Sequence, residues 1–406
     1  MQMHTKKSVI PCAVVLLSAT LSAPASAEFT PGSFMTKDGA EITPVLQTGL
    51  SVNDNVFNTP TDEESRVIWT ISPGVAAVID DGPDSYKLNV GTSSSLYNKD
   101  SVDNFTQVNL GAGVHKELTS RHVFDINGTA DWLYEPRGTG LTQGLGDIVD
   151  ELIKYQQQDI TGTYKFGSQT SKAQLELVSG FYSKKYQNFR ATSQYRDYDK
   201  TLVGAKGYYN TQAATRMFVE VTRDDFRYDV LESSGVSRNS DDIKVLFGME
   251  WEATSLTSGT FKLGYQNKDF DDNQRESFSG LSWEAGITWQ PLTYSTFDFT
   301  TSRAATDPLL EGDYIKESTY GVKWKHDWSD YLASVASVSY IDEQYTGDIG
   351  RNDKTKSARL GLNYQANNFG LISTYVDFID KNSNQPLIEF DRVIVGVNFT
   401  FALKAN

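Results

Sequence analysis

The sequence predicts an all-β chain, a transmembrane antiparallel up-and-down β-barrel of about 18 strands with long extracellular loops and short periplasmic turns. Alternation is the first observation behind this. In a strand, residues i, i+2 and i+4 share a face. Ile243, Val245, Phe247, Met249 and Trp251 alternate with Lys244, Gly248 and Glu250. Residues 67–79, 281–289 and 393–401 repeat the pattern. A soluble sandwich alternates too, but rarely in segments of about ten residues along so long a chain.

The connections are the second observation. Short turns fall at 80–85, 116–121, 167–171, 210–215, 253–258, 290–295, 327–330 and 366–370. Longer polar stretches lie between them, at 53–64, 98–104, 135–151, 184–194, 229–240, 269–276, 304–313, 342–354 and 380–388. Nine long loops and eight short turns make 18 strands, with one rim of tight turns and one of long loops. In a bilayer every backbone N–H and C=O needs an internal partner, so a spanning sheet must close on itself. At this strand number side chains no longer fill the interior. In residues 155–166, 198–209 and 332–340 both parities carry apolar residues, and the pattern does not fix a face.

The third observation is composition. Hydrophobic residues make up 39% and aromatics 12%, which suits a wall with lipid-facing residues at every second position. The net charge of −15 argues against nucleic acid as a partner. Lys6 and Lys7, the apolar run 9–17 and the small residues Ala25 and Ala27 read as a secretory signal cleaved before Glu28. The chain then divides into a signal peptide (1–27), a short N-terminal periplasmic segment (28–41) and a single barrel domain (42–406). Cys12, the sole cysteine, lies inside the signal, so the mature protein is expected to hold no thiol or disulfide.

An enzyme is not expected. Outer-membrane hydrolases work at the outward rim, whereas His115, His122 and His326 all map beside short turns. Neither a G-x-S-x-G elbow nor an H-E-x-x-H helix occurs. Asp224-Asp225 and Asp241-Asp242 would point to opposite faces of a strand. Asp269, Asp271, Asp272 and Asn273 lack calcium-loop spacing and read as a solvated loop. No cofactor or metal is implied.

Two features bear on transport. Where parity is clear, the inward face includes Asp131, Lys244, Glu250, Lys262, Lys268, Glu284, Asp298, Lys323, Arg359 and Arg392. This mixed-sign wall suits hydrated, hydrogen-bonding solutes such as sugars, although any barrel interior is polar. The longest loop, 135–151, carries Gly138, Gly140, Gly144 and Gly146. Those glycines permit either tight folding into the lumen or a mobile surface loop.

The first hairpin adds a resemblance. Ile42-Thr43-Pro44 leads to Asn53-Asp54-Asn55-Val56-Phe57, and Trp69-Thr70-Ile71-Ser72-Pro73-Gly74-Val75 heads the next strand. These segments resemble a β-barrel porin family whose members often belong to capsule and exopolysaccharide gene clusters. The resemblance implies an outer-membrane conduit, contacting lipid and lipopolysaccharide, that exports a polysaccharide with periplasmic export proteins. It supplies no catalytic or binding residues. A diffusion porin importing sugars or small solutes, or a structural or adhesive surface barrel, fits the same residues. The ending Phe401-Ala402-Leu403-Lys404-Ala405-Asn406 departs from the terminal aromatic common in outer-membrane proteins, with Phe399 and Phe401 close by.

Overall fold

The computed structural model describes residue 29 and residues 31–402, except 169, 212, 213, 255, 348, 368 and 369. The expected signal peptide, with Ala25, Ala27 and Glu28, lies outside the described residues. A two-residue strand β1 (Phe34–Met35) precedes the wall. The wall itself starts with β2 (Ala40–Asn53), β3 (Arg66–Asp81), β4 (Asp84–Tyr97), β5 (Phe105–Thr119), β6 (His122–Glu135) and β7 (Ile153–Phe166). It continues through β8 (Ala173–Tyr186), β9 (Tyr198–Asn210), β10 (Thr215–Tyr228), β11 (Ser240–Thr254), β12 (Thr257–Phe270) and β13 (Phe278–Leu292). β14 (Ser295–Thr306), β15 (Ile315–Asp327), β16 (Leu332–Tyr345), β17 (Asn352–Asn367), β18 (Gly370–Ser383) and β19 (Phe390–Ala402) complete it.

Each strand pairs antiparallel with its sequence neighbour, and β19 returns to pair with β2, from Ile394↔Asn53 to Ala402↔Val45. The result is a closed barrel of 18 strands. No helix among the described residues is long and apolar enough to cross a membrane. The short and long connections fall where the sequence places them. One detail differs at the start. The first barrel strand begins at Ala40 rather than Ile42, because Thr36 and Ala40 close a turn (Thr36 N to Ala40 O, 2.8 Å) that folds β1 back onto it.

Side-chain direction follows from register, since residues directly opposite in a ladder share a face. Leu281, Val338, Leu360 and Val395 are more than half exposed and point away from the lumen, as lipid-facing residues must. The register also assigns the three ambiguous strands. In β7, Tyr155 and Gln157 face inward and Ile160 outward; in β9, Lys200 and Lys206 face inward and Val203 outward. In β16, Ser337 and Glu343 face inward and Val338 outward.

One seam is incomplete. β13 pairs with β12 up to Phe278↔Lys268, and β14 pairs with β15 up to Thr306↔Ile315. Between them, the β13–β14 ladder stops at Trp283↔Arg303. Above that point β14 bends toward the lumen and its backbone bonds side chains instead. Gln266 accepts from Ala305 N at 2.8 Å and donates to Ala305 O at 3.0 Å, while Ser282 Oγ donates to Arg303 O at 2.9 Å. Phe278, Ala305 and Tyr314 pack against one another behind this seam. Gln266→Leu orphans two buried backbone groups, which costs about 1–3 kcal/mol each. Amide exchange at Ala305 is expected to accelerate in that variant while exchange in β17 stays slow; equal rates at Ala305 would refute the seam.

Candidate functional site

The lumen and its long-loop mouth form the candidate site. Register places all ten candidate side chains on the inward face, opposite the lipid-facing residues. They differ in how far neighbours engage them. Lys268 is 1% exposed, bonds Ser240 Oγ at 3.0 Å and Asp307 at 3.1 Å, and stacks its ammonium on Phe226. Glu250 takes Lys206 at 3.0 Å and Arg216 at 2.6 Å. Asp131 accepts from Asn109 (2.9 Å) and Gln157 (3.1 Å), and Arg392 donates to Asn58 at 2.8 Å.

A second group is looser. Lys262 lies 3.4 Å from Glu284, whose side chain is 53% exposed. Arg359 pairs with Asp377 yet keeps 46% of its side chain exposed. Asp298 accepts from Thr288 at 2.7 Å rather than from Lys323 opposite it. Lys323 and Lys244 have no ion pair or side-chain hydrogen bond among the described residues.

The mouth is occupied by its own loops. Residues 136–152, between β6 and β7, cross it. Leu141 clusters with Ile153 and Tyr186 of the near wall, and Leu310 from the β14–β15 loop packs against that cluster. Gln143 accepts from Arg351 Nη2 at 2.8 Å, and Gly138 O from Asn58 Nδ2 at 3.2 Å. The glycines allow this fit. Gly138, Gly140 and Gly144 have φ of 80°, 55° and 78°. A Cβ on Gly138 would stand 1.8 Å from Phe57 O, and one on Gly146 2.5 Å from the same oxygen.

Buried arginines clamp the other loops, a feature the sequence reading missed. Arg137 forms a fork with Asp103, both bonds 2.7 Å. Glu232 gathers Arg238 Nε (2.6 Å), Arg275 Nη2 (2.6 Å) and Arg196 Nη1 (3.1 Å). The same arginines hold residues 307–314 inward: Arg196 bonds the carbonyls of Leu309 and Leu310, Arg238 that of Gly312, and Arg275 the Asp313 carboxylate. Burial raises the Glu232 carboxyl, but the guanidiniums outweigh it and hold it below the usual glutamate range.

The remaining candidates are peripheral. His115 bonds Asp125 at 2.6 Å, His122 meets Tyr164 Oη at 2.7 Å, and His326 lies among Tyr294, Trp324 and Trp328 at the short-turn rim. Asp272 accepts the backbone N–H groups of Ser237 and Gln274, which pull its carboxyl below the usual range. Among the described residues no group of His, Cys, Asp or Glu is arranged to hold a metal.

Comparison with known proteins decides the kinship. Residues 30–403 match the family described as "Putative beta-barrel porin 2". The chain belongs to this porin family. No curated protein sequence matches it significantly. Among solved structures it is similar to OccK2 (OpdF) of Pseudomonas aeruginosa, at 10% identity and a TM-score of 0.52, covering 92% of this chain and 100% of that one. A BenF-like porin from Pseudomonas fluorescens Pf-5 gives 10% identity and 0.53, with 90% and 99% covered. P. aeruginosa OpdK with vanillate gives 10% and 0.51, with 89% and 98% covered. At such identities the likeness concerns the fold. Family and fold together indicate a porin of the Gram-negative outer membrane.

Proposed function

We propose that this porin is a diffusion channel for small hydrogen-bonding solutes. The observation that carries the reading is the loop 136–152 lying across the mouth, anchored by Asn58, Arg351 and Leu310, which leaves little room for a polymer. The inward wall supports it. Lys244, Lys323, Glu284 and Arg359 keep exposed or unpaired polar atoms toward the lumen and are the residues proposed to meet solute. Lys268 and Glu250 are spent on internal pairs and shape the wall. OpdK with vanillate, a small aromatic acid, offers a precedent for the size of solute this fold accommodates.

Polysaccharide export, with periplasmic partners, rests on the capsule-cluster resemblance alone, and the inward loops weigh against it. Liposomes containing the purified protein should swell in monosaccharides and small organic acids but not in oligosaccharides. Lys323→Glu should shift the anion-to-cation permeability ratio several-fold toward cations, measured as a reversal potential. Absence of conductance under every condition would defeat the channel reading. Normal solute entry combined with periplasmic polymer accumulation in a deletion strain would turn the choice to export.

A further inference from the structure

The outward face just below the long-loop rim carries charge on two arcs, and the arcs are built differently. On β8–β12 every cation is answered. Lys185 meets Asp229 at 2.7 Å and Asp199 at 3.1 Å. Arg223 meets Asp241 at 3.0 Å, and Arg227 meets Asp225 at 2.8 Å and Asp271 at 3.4 Å. Carboxylates outnumber cations on that arc.

On β14–β17 the balance reverses. Arg303, Lys316, Lys354 and Lys356 share the outward face with Val338 and Leu360 through the registers Arg303↔Ser318, Ser318↔Asp342, Asp342↔Lys354 and Tyr340↔Lys356. Among the described residues, only Lys356 of these four has a carboxylate in ion-pair range, Asp380 at 3.5 Å. Lys354 stands opposite Asp342 without closing an ion pair, and Asp391 lies one strand beyond Asp380. The Arg303 guanidinium rests over Trp283 at 5.4 Å, with its buried Nε lacking a hydrogen-bond partner. Lys316 lies 5.8 Å from the Tyr314 ring. Immediately below, Tyr320 and Tyr340 stack at 6.3 Å, and Val338, Val322 and Phe378 continue the apolar band.

Cations without counter-charge at the edge of hydrocarbon are costly unless an anion is supplied from outside. An aromatic step above an apolar face is where a lipid head group sits. We infer that the β14–β17 face binds the phosphorylated head group of an outer-leaflet lipid. Arg303, Lys354 and Lys356 take the phosphate oxygens, and the acyl chains lie on Val338, Leu360 and Phe378. Guanidinium and ammonium bonds to phosphate are short and charge-assisted, hence strong. The inference rests on the membrane location of the barrel and is independent of what the lumen carries.

The test is lipid retention by the intact barrel, read by native mass spectrometry in detergent with added diphosphorylated lipid A or its dephosphorylated counterpart. Wild type should retain the phosphorylated form and not the other. K354E/K356E should retain at least tenfold less, K354R/K356R should match wild type, and R223Q/R227Q on the acidic arc should be unaffected. K354Q/K356Q, with no new negative charge, gives the same reading should the Glu variant fail to fold. Equal retention by folded K354Q/K356Q, equal binding of the dephosphorylated lipid, or displacement by millimolar inorganic phosphate would overturn the inference.

Discussion

Replacing Gly138 with valine should raise single-channel conductance several-fold. A Cβ there would stand 1.8 Å from the Phe57 carbonyl oxygen, a backbone atom that cannot swing aside, and φ is 80°. The left-handed backbone costs an ordinary residue roughly 1–2 kcal/mol, and a β-branched one more. Because the collision compounds that strain, the loop must leave its seat between Phe57, Arg351 and Leu310. Gly235 supplies the control. Its φ is 83° but no heavy atom lies within 4 Å of a Cβ built there, so Gly235→Val bears the backbone strain without the collision. Conductance should rise in the first variant and stay at wild-type level in the second. Equal conductance in both would mean that the loop does not narrow the passage.

The second large effect is expected at Glu232. Its carboxylate answers two deeply buried guanidiniums, Arg238 and Arg275, with side-chain exposures of 2% and 5%. Glu232→Ala removes the anion and leaves the buried Arg238 charge without its carboxylate, while Arg275 keeps only Asp313, a loss on the order of 3 kcal/mol. Residues 307–314 would lose their anchor, and trypsin should cut after Arg238 or Arg275 at a rate at least tenfold above wild type. The pH dependence has a definite sign. A carboxyl held below its unfolded value contributes full stability above the ordinary glutamate range, about 4.3, and loses it as pH falls through the depressed folded value. Channel current should therefore stay steady from pH 8 to pH 5 and become noisy only in more acid solution. Noise beginning between pH 6 and 7 would point to a different group.

Much of the wall is legible in the sequence because lipid imposes a strict rule on every second residue. Ile243 to Trp251 obey it, and β11 has the predicted parity. The rule fails where the lumen is not water. Ile153 and Tyr155 of β7 face inward yet are apolar or aromatic, because Leu141 and Leu310 fold down to meet them. Ile341 of β16 likewise faces inward. No single strand can announce such a partner, since Leu310 comes from a loop about 150 residues away from Ile153 in sequence. The buried arginines were equally hidden. Arg238 and Arg275 stand in stretches read as polar loops and Arg196 just beyond one, and only their convergence on Glu232 reveals a clamp. The glycines of residues 136–152 gave a real signal, the capacity for close approach, but not the direction of folding.

The pairing of β19 with β2 has a consequence for biogenesis. Until residues 394–402 have been made, the backbone edge of residues 45–53 has nothing to bond. The first strand of the wall therefore waits the longest for its second partner, and until then it offers a bare template on which other chains can nucleate. Lesions in the last strand, which deprive residues 45–53 of their partner, should therefore surface as aggregated precursor rather than as altered permeability.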